Sequence, residues 1–205
     1  MRCKRNHFSF QFGILACFLL LWACRLEKKP AHLLVTGIHD GKVTLSDSSS
    51  VPIPFYGDTS RIIFYCVRHA EKKKDAGDNP GLTPEGEARA KRLGQILKDA
   101  PLDKACSTNF KRTVQTAELA RKEMTKPPAA EAYPPDFQDT WLEETLQAGY
   151  GKQYLIVGHA NTIPKLLNSL KGGSAFQDIP DNEYDHFYIA VTKGAGQTEV
   201  LELYY

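Results

Sequence analysis

The chain has 205 residues and a formal charge of +2 at neutral pH, with 24% charged and 42% hydrophobic residues. This near-balance excludes recognition of nucleic acid through global charge. The five cysteines, with no C-x-x-C spacing, exclude a zinc cluster of the usual pattern.

Residues 1–11 carry Arg2, Lys4 and Arg5 and no acid, and residues 12–23 are an unbroken apolar or glycine run. A basic start before an apolar run too short to span a bilayer comfortably reads as a secretory leader. The end of the run, Leu21-Trp22-Ala23-Cys24, resembles the lipobox of bacterial lipoproteins, although Trp22 departs from the small residue usual there. The resemblance implies cleavage after residue 23 and lipid on Cys24. The mature protein would then be anchored to a membrane of the bacterial cell envelope and face the periplasm. An ordinary cleaved signal or an uncleaved anchor is the alternative.

Removing residues 1–23 takes away three cations and no acid, so the formal charge moves from +2 to −1. Residues 24–205 suffice for one domain with a sizeable core. Cys66 and Cys106 then read as two buried thiols, with a disulfide in an oxidising compartment as the alternative.

Residues 25–31, with Lys28-Lys29-Pro30, read as a tether. Two β-prone runs, 33–36 and 43–45, flank His39-Asp40-Gly41-Lys42, a hairpin signal. Residues 46–50 and the Pro52/Pro54 pair read as a loop, which makes 24–58 a tether and small β appendage. From residue 59 to 205 strands and helices alternate. The apolar run 61–67 reads as a buried strand. Thr83 as N-cap, Pro84 at the first helical position and Glu85 and Glu87 in the first turn open a helix whose stripe is Ala90, Leu93, Ile96 and Leu97. A second strand covers 103–107, and a helix starts at Ser107 or Thr108 and runs to about Lys122. A short strand is expected near 131–133, a helix over 136–148, a buried strand over 154–159, a helix over 162–170, and two closing strands at 187–191 and 199–203. The pattern predicts an α/β three-layer sandwich, its sheet mostly parallel with helices on both faces, plus the N-terminal β appendage.

Polar residues gather where the strands end. Arg68-His69-Ala70-Glu71 follows the first strand, Ser107 to Ala117 follows the second, and Gly158-His159 closes the later one. Ligands in open α/β sheets collect at the carboxyl ends of strands, so two Arg and two His are expected at one edge. Together with Leu82-Thr83-Pro84-Glu85-Gly86, these motifs resemble the histidine phosphatase superfamily, also called phosphoglycerate mutase-like, from about residue 59 onward. The resemblance implies a parallel-rich α/β sandwich. It implies that His69 is the nucleophile that becomes phosphohistidine, that Arg68 and Arg112 hold the phosphate, and that His159 is the second pocket histidine.

The residue types suit that chemistry. A phosphate monoester presents oxygens that the planar guanidinium fork binds in pairs. The cations beside His69 disfavour its protonation and keep it nucleophilic. No metal or other cofactor is required. The acid that protonates the leaving alkoxide is less plain, because His159-Ala160-Asn161 lacks the aspartate some members carry there. Glu71 is the first candidate, and Glu143 and Glu144 are the second. Without an acid the enzyme would favour aryl phosphates or phosphohistidine. Asn109 and Thr113 are candidate pocket supports, with helix capping and packing as their other reading, and Lys72-Lys73-Lys74 would rim the pocket.

Only 46 residues separate Arg112 from His159, too few for a large capping insertion. This matches the short branch of the superfamily, with an open pocket. The expected activity is metal-independent hydrolysis of a phosphorylated small molecule or phosphoprotein, with no nucleic-acid partner and with the membrane met only through the N-terminal lipid. A phosphotransferase or mutase, a non-catalytic phospho-ligand module and a metallohydrolase are the competing readings. The last lacks a ligand cluster in the sequence.

Overall fold

The computed structural model describes residues 32–74, 77–135 and 139–205. The expected leader, Cys24 and the tether lie outside the described residues.

A six-stranded sheet is organised around β4 (Ile62–Arg68), in which all seven residues are buried. Its other members are β5 (Lys104–Ser107), β6 (Ala129–Ala132), β7 (Gln153–Gly158), β8 (His186–Thr192) and β9 (Thr198–Tyr204), in the order β6-β5-β7-β4-β8-β9. The β6–β5, β5–β7 and β7–β4 pairings are parallel, whereas β4–β8 and β8–β9 are antiparallel. The sheet is therefore mixed, with a parallel half and an antiparallel margin.

Burial on both faces explains why β4 is a continuous apolar run instead of an alternating one. Ile63, Tyr65 and Val67 face a core shared with Leu93 and Ile96 of α1 (Pro84–Ile96), Leu97 at its C-cap, and Ala117 and Ala120 of α2 (Lys111–Glu123). Ile62, Phe64 and Cys66 face the opposite core, with Leu142 of α3 (Asp139–Ala148) and Ile163, Leu166, Leu167 and Leu170 of α4 (Thr162–Lys171). These are the three layers. The helices α1 and α2 approach closely where a Cβ on Gly94 would stand 2.2 Å from the Ala120 carbonyl oxygen. Among the described residues no helix is long and apolar enough to cross a membrane.

The expected hairpin is β1 (Val35–His39) and β2 (Lys42–Leu45), turning at Asp40-Gly41. A third strand, β3 (Ser50–Pro52), pairs antiparallel with β2 where the sequence reading has a loop. Pro52 is tolerated there because β3 ends at it and lies at a sheet edge. Val35, Ile38, Val43, Leu45 and Ile53 join the α1–α2 core, so this small sheet buries its apolar side in the same core, with β1 against α1.

Two local expectations change. The helix α2 begins at Lys111, not at Ser107 or Thr108, because residues 107–110 form the strand end and a turn. Cys66 and Cys106 are both buried and free. Each is registered with Ile156 from opposite sides of β7. They are thus two strand spacings apart, roughly 10 Å, beyond the reach of a disulfide.

Candidate active site

The parallel strands β4, β5 and β7 end side by side at Arg68, Ser107 and Gly158. The residues that follow are forced onto one edge, and Arg68, His69, Arg112 and His159 meet there. The rings of His69 and His159 lie 5.5 Å apart, edge to face.

His69 is 3% exposed. Its amide donates to the Gly158 carbonyl at 2.9 Å, which joins the two histidine motifs through the backbone. Its Nδ1 lies 2.8 Å from the Ala70 carbonyl oxygen. A carbonyl only accepts, so Nδ1 carries the proton and Nε2 keeps its lone pair. Burial lowers the His69 pKa to about 3; the Ala70 bond opposes the shift, and the charges of Arg68 and Arg112 and the neighbouring His159 add to it. The imidazole is neutral at physiological pH, as a nucleophile must be.

Ala70 is itself held through its amide. The Ala70 amide donates to Thr116 Oγ1 at 3.1 Å, and that hydroxyl donates to the Arg112 carbonyl at 2.7 Å. One side chain on α2 thus ties the nucleophile's turn to the backbone of the second arginine.

Arg68 is also 3% exposed. Its Nη1 donates to the Pro180 and Glu183 carbonyls at 2.8 and 3.0 Å, and its Nη2 lies 3.5 Å from Asp181 Oδ1. The Tyr184 ring covers the guanidinium, with Cζ 4.4 Å from the ring centre. Arg112, half-buried in the first turn of α2, stacks on Phe110 at 4.5 Å. Burial first, and Arg68 second, lower its pKa. The Nε atoms of both arginines are buried with no hydrogen-bond partner among the described residues, a cost that a folded protein seldom carries without reason.

His159 is held at both nitrogens. Arg112 Nη2 is 3.4 Å from Nδ1, and Nε2 is 3.0 Å from Thr108 Oγ1. Arginine only donates, so Nδ1 accepts and Nε2–H donates to Thr108. The Thr108 hydroxyl lies 2.8 Å from Thr113 Oγ1, which donates to the Thr108 and Phe110 carbonyls. Burial, then Arg112, Arg68 and Lys72, lower the His159 pKa to about 4. Gly158 permits this packing, since a Cβ there would stand 2.8 Å from Thr162 Oγ1, Ile163 Cδ1 and Tyr133 Oη.

Of the other sequence candidates, Thr113 meets the cluster through Thr108 at 2.8 Å, whereas the side chains of the acids and Asn109 make no hydrogen bond to it among the described residues. Glu71 Oε1 accepts from Arg89 Nε of α1 at 2.7 Å, and Arg89 also donates to the Tyr205 carbonyl. Glu71 Oε1 is thus paired with α1, and its Oε2 is buried with no hydrogen-bond partner among the described residues. Glu143 and Glu144 are exposed on α3, and Asn109 is exposed in the turn before α2. Among the described residues no hydrogen bond joins any of the three to the cluster. Lys72 is near enough for its charge to act on His159.

Thr108, Phe110, Thr116 and Tyr184 belong to the site and were not singled out for it by sequence. The first three sit inside the 107–117 motif, where nothing marks them from the rest. Tyr184 arrives from a loop with no local signal. Among the described residues one group could offer three ligands to a metal, Glu183, Asp185 and His186. His186 Nε2 there is already 2.7 Å from Glu183 Oε2 and Nδ1 3.1 Å from the Tyr188 hydroxyl, so side-chain hydrogen bonds account for the grouping.

Residues 64–132 match the family model of the histidine phosphatase superfamily (branch 1). The fold is shared with solved structures of low identity. The protein histidine phosphatase SixA complexed with tungstate is 17% identical, with a TM-score of 0.59 over 69% of this chain and 96% of that one. The mycobacterial glucosyl-3-phosphoglycerate phosphatase is 9% identical, with a TM-score of 0.57 over 71% and 98%. The phosphoglycerate mutase of Bacillus anthracis is 16% identical, with a TM-score of 0.54 over 71% and 94%. No curated protein matches the chain.

Proposed function

We propose that the chain, whose residues 64–132 match the family model of the histidine phosphatase superfamily (branch 1), is a phosphatase working through a phosphohistidine at His69. The observation that carries this reading is the 2.8 Å contact of His69 Nδ1 with the Ala70 carbonyl oxygen, in a buried ring beside Arg68 and Arg112. The Nδ1 proton is committed to the Ala70 carbonyl, so the Nε2 lone pair is available beside two guanidiniums.

In the first step Nε2 attacks phosphorus, and the bond from phosphorus to the leaving atom breaks. Water then attacks the phosphohistidine, and the P–N bond breaks. One difficult displacement becomes two easier ones. Arg68 and Arg112 neutralise the transferring group's oxygens. Burial first, and then the charges of Arg112, Arg68 and Lys72, hold His159 neutral; a bound phosphoryl dianion offsets those charges and so favours its imidazolium with substrate in place. The substrate class is a phosphate monoester or an N-phosphoryl group, on a small molecule or on a protein. The short Arg112–His159 segment supports an open approach for either.

The test is phosphate release from p-nitrophenyl phosphate by the full chain in detergent with chelator present. The wild type turns over and His69→Ala falls to background. Equal rates for the two would end this reading. We also propose that Cys24 carries the lipid that holds the enzyme at the cell envelope.

A further inference from the structure

We propose that Tyr184 is the general acid of the reaction, donating its phenolic proton to the leaving oxygen. The inference rests on the phosphohistidine reading of His69 and supplies the proton source that reading lacks. An alkoxide leaves slowly unless it is protonated as its bond to phosphorus breaks, and tyrosine is among the side chains able to do this.

The Tyr184 ring lies 6.1 Å from the His69 ring, tilted by 54°, and covers the Arg68 guanidinium at 4.4 Å. It is half-buried, and among the described residues no hydrogen bond engages its hydroxyl. The carboxylates nearby are otherwise arranged. Glu71 is paired with Arg89 at 2.7 Å. Asp181 is fully exposed and reaches Arg68 only at 3.5 Å.

The backbone on both sides of Tyr184 is fixed. The Glu183 carbonyl accepts from Arg68, and the Asp185 carbonyl accepts from the Tyr205 amide at 2.9 Å. The ring is therefore positioned before substrate arrives, which is what a proton donor in a displacement needs. The same arginine that would grip the phosphoryl group also seats the acid.

The balance is simple. As Nε2 bonds to phosphorus, the pair of the breaking P–O bond goes to the leaving oxygen, which takes the Tyr184 proton. The phenolate left behind accepts a proton from the water that attacks the phosphohistidine. Tyr184 is restored and inorganic phosphate departs.

The test compares the full chain with Tyr184→Phe, which keeps the ring on Arg68 and removes only the hydroxyl. Phosphoenzyme formation is followed by rapid quench with p-nitrophenyl phosphate, whose leaving group needs little protonation, and with benzyl phosphate, whose leaving group needs much. Acid catalysis is worth about 10²–10⁴-fold. The variant is expected to lose about 100-fold more rate on benzyl phosphate than on p-nitrophenyl phosphate. A loss equal on both substrates assigns Tyr184 a structural role and overturns the proposal, as does no loss on either. If Glu71→Gln or Asp181→Asn shows the leaving-group-dependent loss in its place, that carboxylate is the acid. Failure of the His69 reading looks different, because His69→Ala would then still turn over both substrates.

Discussion

Thr116 offers a sharp perturbation, because its hydroxyl is the sole hydrogen-bond partner that the described residues give the buried Ala70 amide. Thr116→Val removes the hydroxyl at nearly constant volume. The Arg112 carbonyl keeps its helical amide partner, so the cost falls on Ala70 N–H. A buried donor left unsatisfied costs about 1–3 kcal/mol. That amide belongs to the peptide joining His69 to Ala70, and the next peptide carries the carbonyl that holds His69 Nδ1 at 2.8 Å. A loosened peptide lets the nucleophile drift, and misplacement on the ångström scale costs up to about 100-fold in rate. Urea unfolding should place the variant about 2 kcal/mol below the wild type with an unchanged m value. Rapid quench should show phosphoenzyme forming about 10- to 100-fold more slowly. Thr116→Ser, which restores the hydroxyl, should recover most of both. A valine variant of wild-type stability and rate, or a serine variant as impaired as valine, would refute the argument.

Further outcomes follow from the same geometry. His69 and His159 have pKa values lowered to about 3 and 4 from 6.5. The unfolded chain therefore binds more protons than the folded one between those values and 6.5. Stability from this source is intact above pH 6.5 and falls as pH drops toward 4; a flatter urea-midpoint profile in His69→Gln would bear this out, and an unchanged one would count against it. Gly158→Ala drives a Cβ to within 2.8 Å of Thr162 Oγ1, which accepts the His159 amide at 2.8 Å. It should cost about 1–3 kcal/mol by thermal unfolding and displace His159. Cys24→Ser should remain unprocessed by lipoprotein signal peptidase or leave the membrane fraction, and a variant that migrates and fractionates like wild type would sink the lipid assignment.

Much of the scaffold could be read locally because local physics decides it. Thr83 accepts from the Gly86 amide and Pro84 opens α1, as capping chemistry requires. The doubly buried run of β4 could only be an interior strand. The four principal side chains were legible because strand ends in a parallel sheet converge whatever the loops do. What escaped was set by partners distant in the chain. Ser107 and Thr108 look like helix caps, yet α2 starts at Lys111 and Thr108 spends its hydroxyl on His159, 51 positions away. The run around Ser50 and Pro52 has loop composition, and only the open edge of β2 makes it a strand. Glu71 lies close to His69 in sequence, but its carboxylate is turned to Arg89 by the packing of α1. Tyr184 joins the site only because Arg68 binds the carbonyls of its loop.

The central claim is that residue 69 carries the phosphoryl group. A phosphorus–nitrogen bond survives alkali and breaks in acid, unlike a serine or threonine ester. Mixing the full chain with radiolabelled substrate, quenching in alkali and mapping the label should find it on His69, lost on acid treatment and missing from His69→Ala. Label on another residue, or turnover with no trapped phosphoenzyme under conditions where hydrolysis of the intermediate is slowed, would contradict the account.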